Sequence, residues 1–353
     1  MYHSMLFDKP SLALIKRGEG GTMNMLKPYA GWIILAAILG FYTWFQISLW
    51  DYPRYEIDMV SLYQDGNRIL HGENPYSRIL QSDMRENNKY TTFFPAFIEL
   101  SYLSQKLRYN YYEAWLYFWQ RVLLVVNLCI TGLIFFIFLR KKSLGLAVFF
   151  ALLWALNRWT LYMVQVRDIG FMAIFFLLLS FLLLPKNRWL ALLSFSLSLA
   201  IKQIAIFLLP LFLIYIYHDT TTKKWKQVIL AAAVIISIPL ITSLPFIVWD
   251  LKGLTLSILF SATRDQWQHL PTAYSFDMLL NLSGFPARIP MIVLMFLLFV
   301  IAWKKKIKFY LASMLVMATF VCFNSILFNQ YMPWYIITLP LIVYEPFITD
   351  QAA

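Results

Sequence analysis

The chain has 353 residues, of which 60% are hydrophobic and only 14% are charged. Apolar runs recur to its C-terminal end, so the composition excludes a soluble globular or disordered protein and indicates a polytopic membrane protein. The formal net charge of +12 would suit a nucleic-acid-binding protein, but the basic residues stand in short clusters between the apolar runs. Because this pattern is typical of membrane-protein loops, we expect no nucleic-acid partner and expect the lipid bilayer as the surroundings.

The first apolar run, Ala30 to Trp50, predicts a membrane-spanning helix. About 20 apolar residues cross the bilayer core, and this run is too long for a signal-peptide core and has no small-residue cleavage pattern after it. The preceding segment, residues 1–29, carries Lys9, Lys16, Arg17 and Lys27. The positive-inside tendency therefore predicts a cytoplasmic N-terminus in a multi-pass protein of the cell membrane.

Later apolar runs predict spans at about 113–139, 143–158, 168–184, 189–202, 204–217, 227–249, 287–303, 308–328 and 331–347. The run 93–108 is ambiguous, because a full crossing would place the basic cluster 140–142 outside. The count is ten spans if this run dips in and returns, and eleven if it crosses. The predicted fold is thus all-α, a polytopic transmembrane helical bundle forming a single integral-membrane domain over residues 1–353.

Two loops on the predicted outer face are large, residues 51–90 and 250–286. The first loop holds seven of the chain's 18 carboxylates: Asp51, Glu56, Asp58, Asp65, Glu73, Asp83 and Glu86. Acidic groups near a membrane are costly unless they face water or do chemical work, so we expect the active site in this loop. From Asp58 the sequence predicts an amphipathic helix on the membrane surface, with Asp58, Tyr63 and Asp65 loosely sharing its wet side. For an arbitrary acidic residue in such a loop, a solvated linker is the commoner explanation.

Lys202 stands in an apolar run with no oppositely charged neighbour nearby in sequence. Together with Gln203 and Pro210 it interrupts residues 189–217, which predicts two short helices that meet at the outer face. A lysine there either faces a cavity or a partner, or extends its ammonium to the membrane surface.

Four motifs are spread along the chain in a fixed order. The first runs from Asp58 through Tyr63, Gly66 and Gly72-Glu73-Asn74-Pro75-Tyr76 to Phe94-Pro95, and the others are Val164-Gln165-Val166-Arg167-Asp168, Ala200-Ile201-Lys202-Gln203-Ile204 and Asn329-Gln330-Tyr331-Met332-Pro333-Trp334. Their spacing resembles that of the C-type (GT-C superfamily) integral-membrane glycosyltransferases, especially the bacterial branch that depends on polyprenyl-phosphomannose. The chain departs from that branch at Val164 for glycine, Asp168 for asparagine and Ala96 for proline, and its last motif lacks a histidine.

The resemblance implies a GT-C-like fold and an inverting sugar transfer on the outer (periplasmic or extracellular) face. The donor would be a polyprenyl phosphate sugar, with mannose favoured, and the acceptor a lipid-linked or cell-envelope glycan. Asp58 would be the catalytic base, and the substrate-binding residues would be Tyr63, Asp65, Tyr76, Gln165, Arg167, Asp168, Lys202, Gln330 and Tyr331. Such a transfer needs a base for the acceptor hydroxyl and a cation for the departing phosphate, which Asp58 and Lys202 would supply.

No cofactor and no metal are expected, because a monophosphate leaving group needs no bridging ion and the chain has no Asp-x-Asp pair. Asp58 and Asp65 are poorly spaced for a metal site. An alternative function is a transporter or flippase of an anionic lipid-linked substrate, which Lys202 and the arginines would bind. The lack of an evident internal repeat weakens that alternative. A third alternative is a non-catalytic membrane scaffold.

Overall fold

A computed structural model describes residues 29–51, 57–80, 91–263, 275–280, 282, 285–324 and 328–349 of the chain. That part of the chain is almost entirely helical and contains no strand, which confirms the all-α prediction. The segment 1–28, the stretches 52–56 and 81–90 of the first predicted loop, and the stretch 264–274 of the second lie outside the described residues.

The α-helices are α1 (Ala30–Leu49), α2 (Ile57–Leu70), α3 (Ala96–Leu107), α4 (Tyr112–Leu139), α5 (Leu144–Leu156), α6 (Arg158–Gln165), α7 (Gly170–Leu183), α8 (Arg188–Ile201), α9 (Leu209–Asp219), α10 (Lys224–Thr263), α11 (Phe276–Leu279), α12 (Ile289–Trp303), α13 (Phe309–Phe323), α14 (Met332–Ile336) and α15 (Leu339–Thr349). Short 3₁₀ helices cover Pro75–Leu80, Gln203–Leu208, Phe285–Arg288 and Asn329–Tyr331. Most predicted spans correspond to one of these helices.

Several helices are long and apolar enough to cross a membrane, which indicates a membrane-embedded protein. Four described helical segments meet both requirements: Ala30–Leu49, Tyr112–Leu139, Lys224–Phe260 and Phe285–Trp303. The pair α5 and α6, bent by 46°, would make a fifth span if it crosses as one unit. Shorter apolar helices, among them α7, α8 and α13, fill the bundle between them.

Neighbouring helices run antiparallel, so the bundle has two distinct ends. Trp32 near the start of α1 lies 6.0 Å from Phe136 near the end of α4, measured between ring centroids. The same end collects Lys141 over Tyr344, Tyr310 against Phe181, and Tyr217 against Trp303. We call this the basic end, because it carries the four basic clusters: Arg140, Lys141 and Lys142; Lys186 and Arg188; Lys223, Lys224 and Lys226; and Lys304, Lys305, Lys306 and Lys308. We call the opposite end, with Asp58, Asp168 and Lys202, the site end.

Helices α2 and α3 pack closely at Gly66. A Cβ atom on Gly66 would stand 2.6 Å from Ser101 Oγ and 2.8 Å from the Tyr102 backbone nitrogen, so the two helices approach too closely for any side chain there. Ser101 Oγ also donates a hydrogen bond to the Leu62 carbonyl at 2.9 Å. Helix α3 has 12 residues. At 1.5 Å per residue it extends about 18 Å, which is shorter than a bilayer core of about 30 Å.

The prediction that residues 250–286 form a loop is wrong for its first part, because α10 continues to Thr263. The helix is broken at Asp250, whose φ of −160° and ψ of 88° are not helical. The Asp250 side chain accepts a hydrogen bond from the Gly253 backbone N–H at 2.9 Å and so caps a new helical segment. Asp250, the first residue of the predicted loop, therefore starts a helical segment.

A buried polar cluster joins α1, α4 and α5. The Asn127 amide nitrogen donates to Tyr42 Oη at 2.8 Å and to Gln46 Oε1 at 2.9 Å, and its oxygen accepts from Trp154 Nε1 at 2.9 Å. Asn127 and Tyr42 have no exposed surface. Because polar groups in an apolar interior need partners, this cluster fixes the rotation of three helices relative to one another.

Replacing Asn127 with leucine should destabilise the protein by about 2 kcal/mol, because Tyr42, Gln46 and Trp154 lose their shared partner. Thermal unfolding of the purified protein in detergent measures the loss. Cys129→Ala, an exposed position on the same helix, is the matched control and should change the unfolding temperature little. Equal effects of the two substitutions would contradict a stabilising role for the cluster.

Candidate active site

Asp58 lies near the start of α2 and meets a residue from the far end of the chain. Gln330 Nε2 is 3.4 Å from Asp58 Oδ2, although the two residues are 272 positions apart. Both side chains are partly exposed. The 3₁₀ turn Asn329–Tyr331 that carries Gln330 packs against α6, which ends at Gln165. The structure thus brings Asp58 to the turn that carries Gln330 and Tyr331, and this turn packs on α6.

Tyr63 and Tyr331 are held mainly by other protein groups. The Tyr63 hydroxyl donates to the Asn110 carbonyl at 2.6 Å, and its ring lies against Tyr112 and Trp115 at centroid distances of 5.3 and 5.5 Å. The Tyr331 ring packs on Phe320 and Phe328, each at 5.4 Å. Through these contacts Tyr63 holds α2 in position and Tyr331 holds the 329–331 turn in position.

Asp65 does not share the wet side of α2 with Asp58, which corrects the expectation from the sequence. Its side chain has no exposed surface, and Oδ1 accepts from Arg68 Nη1 at 2.8 Å. Burial raises the pKa of the Asp65 carboxyl to about 7, against the opposing effects of Arg68 and Arg78. Asp65 lies on the inner face of α2, because Leu62, about one turn earlier, is also buried in the core.

Tyr76 and Phe93 connect the Asp65 region to Lys202. The Tyr76 hydroxyl donates to the Phe93 carbonyl at 2.8 Å, and the Phe93 ring centroid lies 5.7 Å from Lys202 Nζ. Gln203 Nε2 donates to the Thr92 carbonyl through a short hydrogen bond. The segment before α3 is therefore fastened on both sides, by Tyr76 from the first loop and by Lys202 and Gln203 from the end of α8.

Lys202 ends helix α8, as predicted, but its ammonium already has a protein partner. Lys202 Nζ lies 2.9 Å from Asp168 Oδ1 and 3.1 Å from Oδ2, and both side chains are almost fully buried. Asp168 Oδ1 also accepts from the Gly170 backbone N–H at the start of α7. The expectation that Lys202 needs a bound phosphate to neutralise it is wrong, because a carboxylate 34 residues earlier does so.

Arg167 is the predicted site residue that lines a cavity. It lies beside Asp168, has a positive φ of 52°, and borders a cavity of about 250 Å³ with Trp44, Trp50, Asp51 and Tyr117. With its amide oxygen facing both donors, Gln120 accepts from Arg167 Nε at 3.1 Å and from Trp50 Nε1 at 3.0 Å. Partial burial lowers the pKa of the Arg167 guanidinium, which stays cationic at neutral pH.

The sequence reasoning missed two members of the site end, Gln120 and Glu99. Gln120 and Asn127 are polar residues seven positions apart on one face of an apolar helix, a signal that the run was not purely lipid-facing. Glu99 is half-buried near the start of α3, and burial raises the pKa of its carboxyl to about 7. Within the described ranges, no group of three or more His, Cys, Asp or Glu residues has the arrangement of a metal site.

The Lys202–Asp168 ion pair should behave as a unit in a double-mutant cycle. Lys202→Met or Asp168→Asn alone leaves one buried charge unpaired and should cost about 3–5 kcal/mol, whereas the double variant should cost much less than the sum. Asn at 168 retains an oxygen for the Gly170 N–H, so the cycle isolates the charges. Thermal unfolding of the four proteins measures the coupling, and additive losses would contradict it.

Asp65 should make the stability of the wild type depend on pH. Its raised pKa means that the folded state holds a proton which the unfolded chain releases above about pH 4. This contribution to the free energy of unfolding therefore falls as the pH rises from about 4 to 7 and then stays level. Between pH 5 and pH 8, the unfolding temperature of the wild type should therefore fall relative to that of Asp65→Asn. Parallel pH profiles would contradict the assignment.

Comparison of the chain with family models, with curated proteins and with solved structures finds no match. We therefore infer function from the side chains at the site end. Three features of the site end are the basis for this inference: the contact between Asp58 and Gln330, the cavity at Arg167, and the Lys202–Asp168 ion pair.

Proposed function

We propose that this protein is an inverting glycosyltransferase that moves a sugar, with mannose favoured, from a polyprenyl phosphate to a lipid-linked or cell-envelope acceptor. The reaction takes place at the site end, on the outer face of the membrane. The proposal combines the resemblance to the GT-C glycosyltransferases with the contacts described above.

The contact between Asp58 and Gln330 is the observation that carries this proposal. The two residues belong to the first and the last of the motifs that resemble the GT-C pattern, and their side chains approach to 3.4 Å. A partly exposed carboxylate beside a neutral amide remains accessible to an acceptor hydroxyl, whereas Asp65, the other candidate on α2, is fully buried. Asp58 is therefore the better candidate for a base.

The proposed reaction is a single displacement. The acceptor hydroxyl oxygen attacks the anomeric carbon, and its proton passes to an Asp58 carboxylate oxygen. The bond between the anomeric carbon and the phosphate oxygen breaks, and polyprenyl phosphate leaves with that electron pair. Attack opposite to the leaving group inverts the configuration of the sugar. Gln330 would orient the Asp58 carboxylate through its amide.

Arg167 rather than Lys202 is the proposed contact for the donor phosphate. The Lys202 ammonium is neutralised by Asp168, so its role is to fix the segment that carries Phe93 beside the site. Arg167 remains cationic at the wall of a 250 Å³ cavity rimmed by tryptophan and tyrosine. A guanidinium binds phosphate oxygens in pairs, and aromatic rims suit a membrane interface where a lipid phosphate lies.

The charges at the basic end support a particular orientation in the membrane. Basic clusters favour the cytoplasmic side, and all four clusters lie at the end opposite to Asp58. This arrangement supports an outward-facing site and an N-terminus on the cytoplasmic side. It also removes the conflict at the cluster 140–142, which stays inside when α3 does not cross.

Asp58→Asn should lower turnover by about 10² to 10⁴ and leave donor binding intact, because the amide keeps the shape of the carboxylate but cannot take the proton. The assay incubates purified protein with radiolabelled polyprenyl phosphate sugars and a membrane lipid extract, and follows transfer to the lipid fraction. Glu73→Gln is the matched control, since Glu73 is an exposed carboxylate that follows the same helix.

An Asp58→Asn protein within a few-fold of wild type would reject Asp58 as the base. Absence of transfer by the wild type with every donor, together with tight binding of a polyprenyl phosphate, would instead favour the transporter alternative.

A further inference from the structure

An aromatic cluster joins three helix ends at the basic end. Tyr217 near the end of α9 lies 5.1 Å from Trp225 and 4.6 Å from Trp303 between ring centroids, and His218 Nε2 lies 2.9 Å from the Trp303 carbonyl oxygen. Lys224 Nζ lies over the Tyr217 ring at 5.1 Å. We call these five residues the aromatic–lysine cluster. Trp225 is 63% exposed, so the cluster is open on one side.

The charge around this cluster is strongly one-sided. Residues 217–226 and 303–308 contain one carboxylate, Asp219, and seven lysines: Lys223, Lys224, Lys226, Lys304, Lys305, Lys306 and Lys308. All but Lys224 are exposed. Among the described residues, none of these lysines lies within salt-bridge distance of a carboxylate. Asp219 and, near Lys308, Glu345 offset only part of this positive charge.

Two of these lysines occupy backbone positions at which glycine is cheaper. Lys223 has a φ of 49° and Lys305 a φ of 55°, in the left-handed region that costs a side-chain-bearing residue about 1 kcal/mol. Lys142, at the same end, has a φ of 57°. A cation at the end of a helix such as α12 gains from the helix dipole, but a solvated lysine elsewhere on the turn would give the same gain without strain. Lys223 immediately precedes Lys224 of the cluster and Lys305 follows Trp303 by two residues, so both strained positions adjoin the cluster.

We propose that the aromatic–lysine cluster, with Lys223 and Lys305 at its mouth, is a binding site for the phosphate headgroup of an anionic phospholipid. Indole and phenol rings sit at the headgroup level of a bilayer, where their apolar faces meet acyl chains and their polar edges meet water. Lysines next to a membrane surface each add about a five-fold gain in affinity for anionic lipid. The exposed Trp225 ring would cover the upper acyl chain while Lys223 and Lys305 bind the phosphate oxygens.

The location favours a lipid over an acidic protein. The cluster stands where the apolar runs of α9 and α12 end and that of α10 begins, and Ile229 and Leu230, about one turn further along α10, are exposed apolar residues. One lipid molecule can cover the apolar surface with its acyl chains and bind the lysines with its phosphate, whereas an acidic peptide would bind only the lysines. This site lies at the opposite end from Asp58, so it is independent of the proposed transfer reaction.

The test compares lipid binding by two variants with the same loss of charge. Full-length protein in non-ionic detergent is titrated with phosphatidylglycerol and with phosphatidylcholine of identical acyl chains, and bound lipid is counted by native mass spectrometry. Lys223→Gln/Lys224→Gln/Lys305→Gln changes the cluster, and Lys141→Gln/Lys142→Gln/Lys186→Gln is the matched control at the same end. The cluster variant should bind phosphatidylglycerol at least tenfold more weakly, and the control variant less than three-fold more weakly.

Several outcomes would overturn the proposal. Equal losses in both variants would mean diffuse attraction without a site, and equal binding of the two lipids by wild type would mean apolar contact alone. Displacement of the lipid by inorganic phosphate at the same concentration would identify a free anion as the ligand, and stronger competition by polyglutamate would identify an acidic partner. As a second measurement, brominated phosphatidylglycerol in nanodiscs should quench less fluorescence in Trp225→Phe than in wild type, and equal quenching would exclude the lipid from the cluster.

Discussion

The site end depends on the buried ion pair between Lys202 and Asp168. Two opposite charges at 2.9 Å are acceptable in an apolar interior only because each neutralises the other, so the end of α8 and the start of α7 must stay together. The Lys202 ammonium also lies against the Phe93 ring, and this contact fixes the segment that leads into α3. Since α3 packs along α2, the position of Asp58 is coupled to this pair through a continuous series of contacts.

The helices could be predicted from the sequence because hydropathy and helix-ending residues are local signals. The boundaries of α1, α4 and α12 follow from the lengths of their apolar runs, and the end of α8 follows from Lys202. The sequence likewise predicts helix α2 from the amphipathic spacing of its apolar residues, and Gly72, with a φ of 76°, follows its end. Local patterns of this kind predict a helix correctly unless contacts with a distant part of the chain favour another conformation.

The pairings between side chains could not be predicted in the same way. Asp168 and Lys202 were both candidate substrate ligands, and nothing in either motif shows that they neutralise each other across 34 residues. Asp65 has the same spacing pattern as a surface carboxylate, yet its side chain is fully buried and bonded to Arg68. In both cases the packing of the helices decides whether a carboxylate is buried, and hydropathy gives no information on that packing. A charged residue in an apolar run can thus have its partner far away in the sequence.

The close approach at Gly66 has a mechanical consequence for the helix that carries Asp58. With Ser101 and Gln105 bonded to carbonyl oxygens of α2 and no room for a side chain between the helices, α2 cannot slide or rotate against α3 without breaking several contacts at once. The two helices therefore behave as one rigid pair. Any movement of Asp58 relative to the rest of the bundle has to carry both helices together, so its rate is set by the contacts between this pair and its neighbours and not by the contact between α2 and α3.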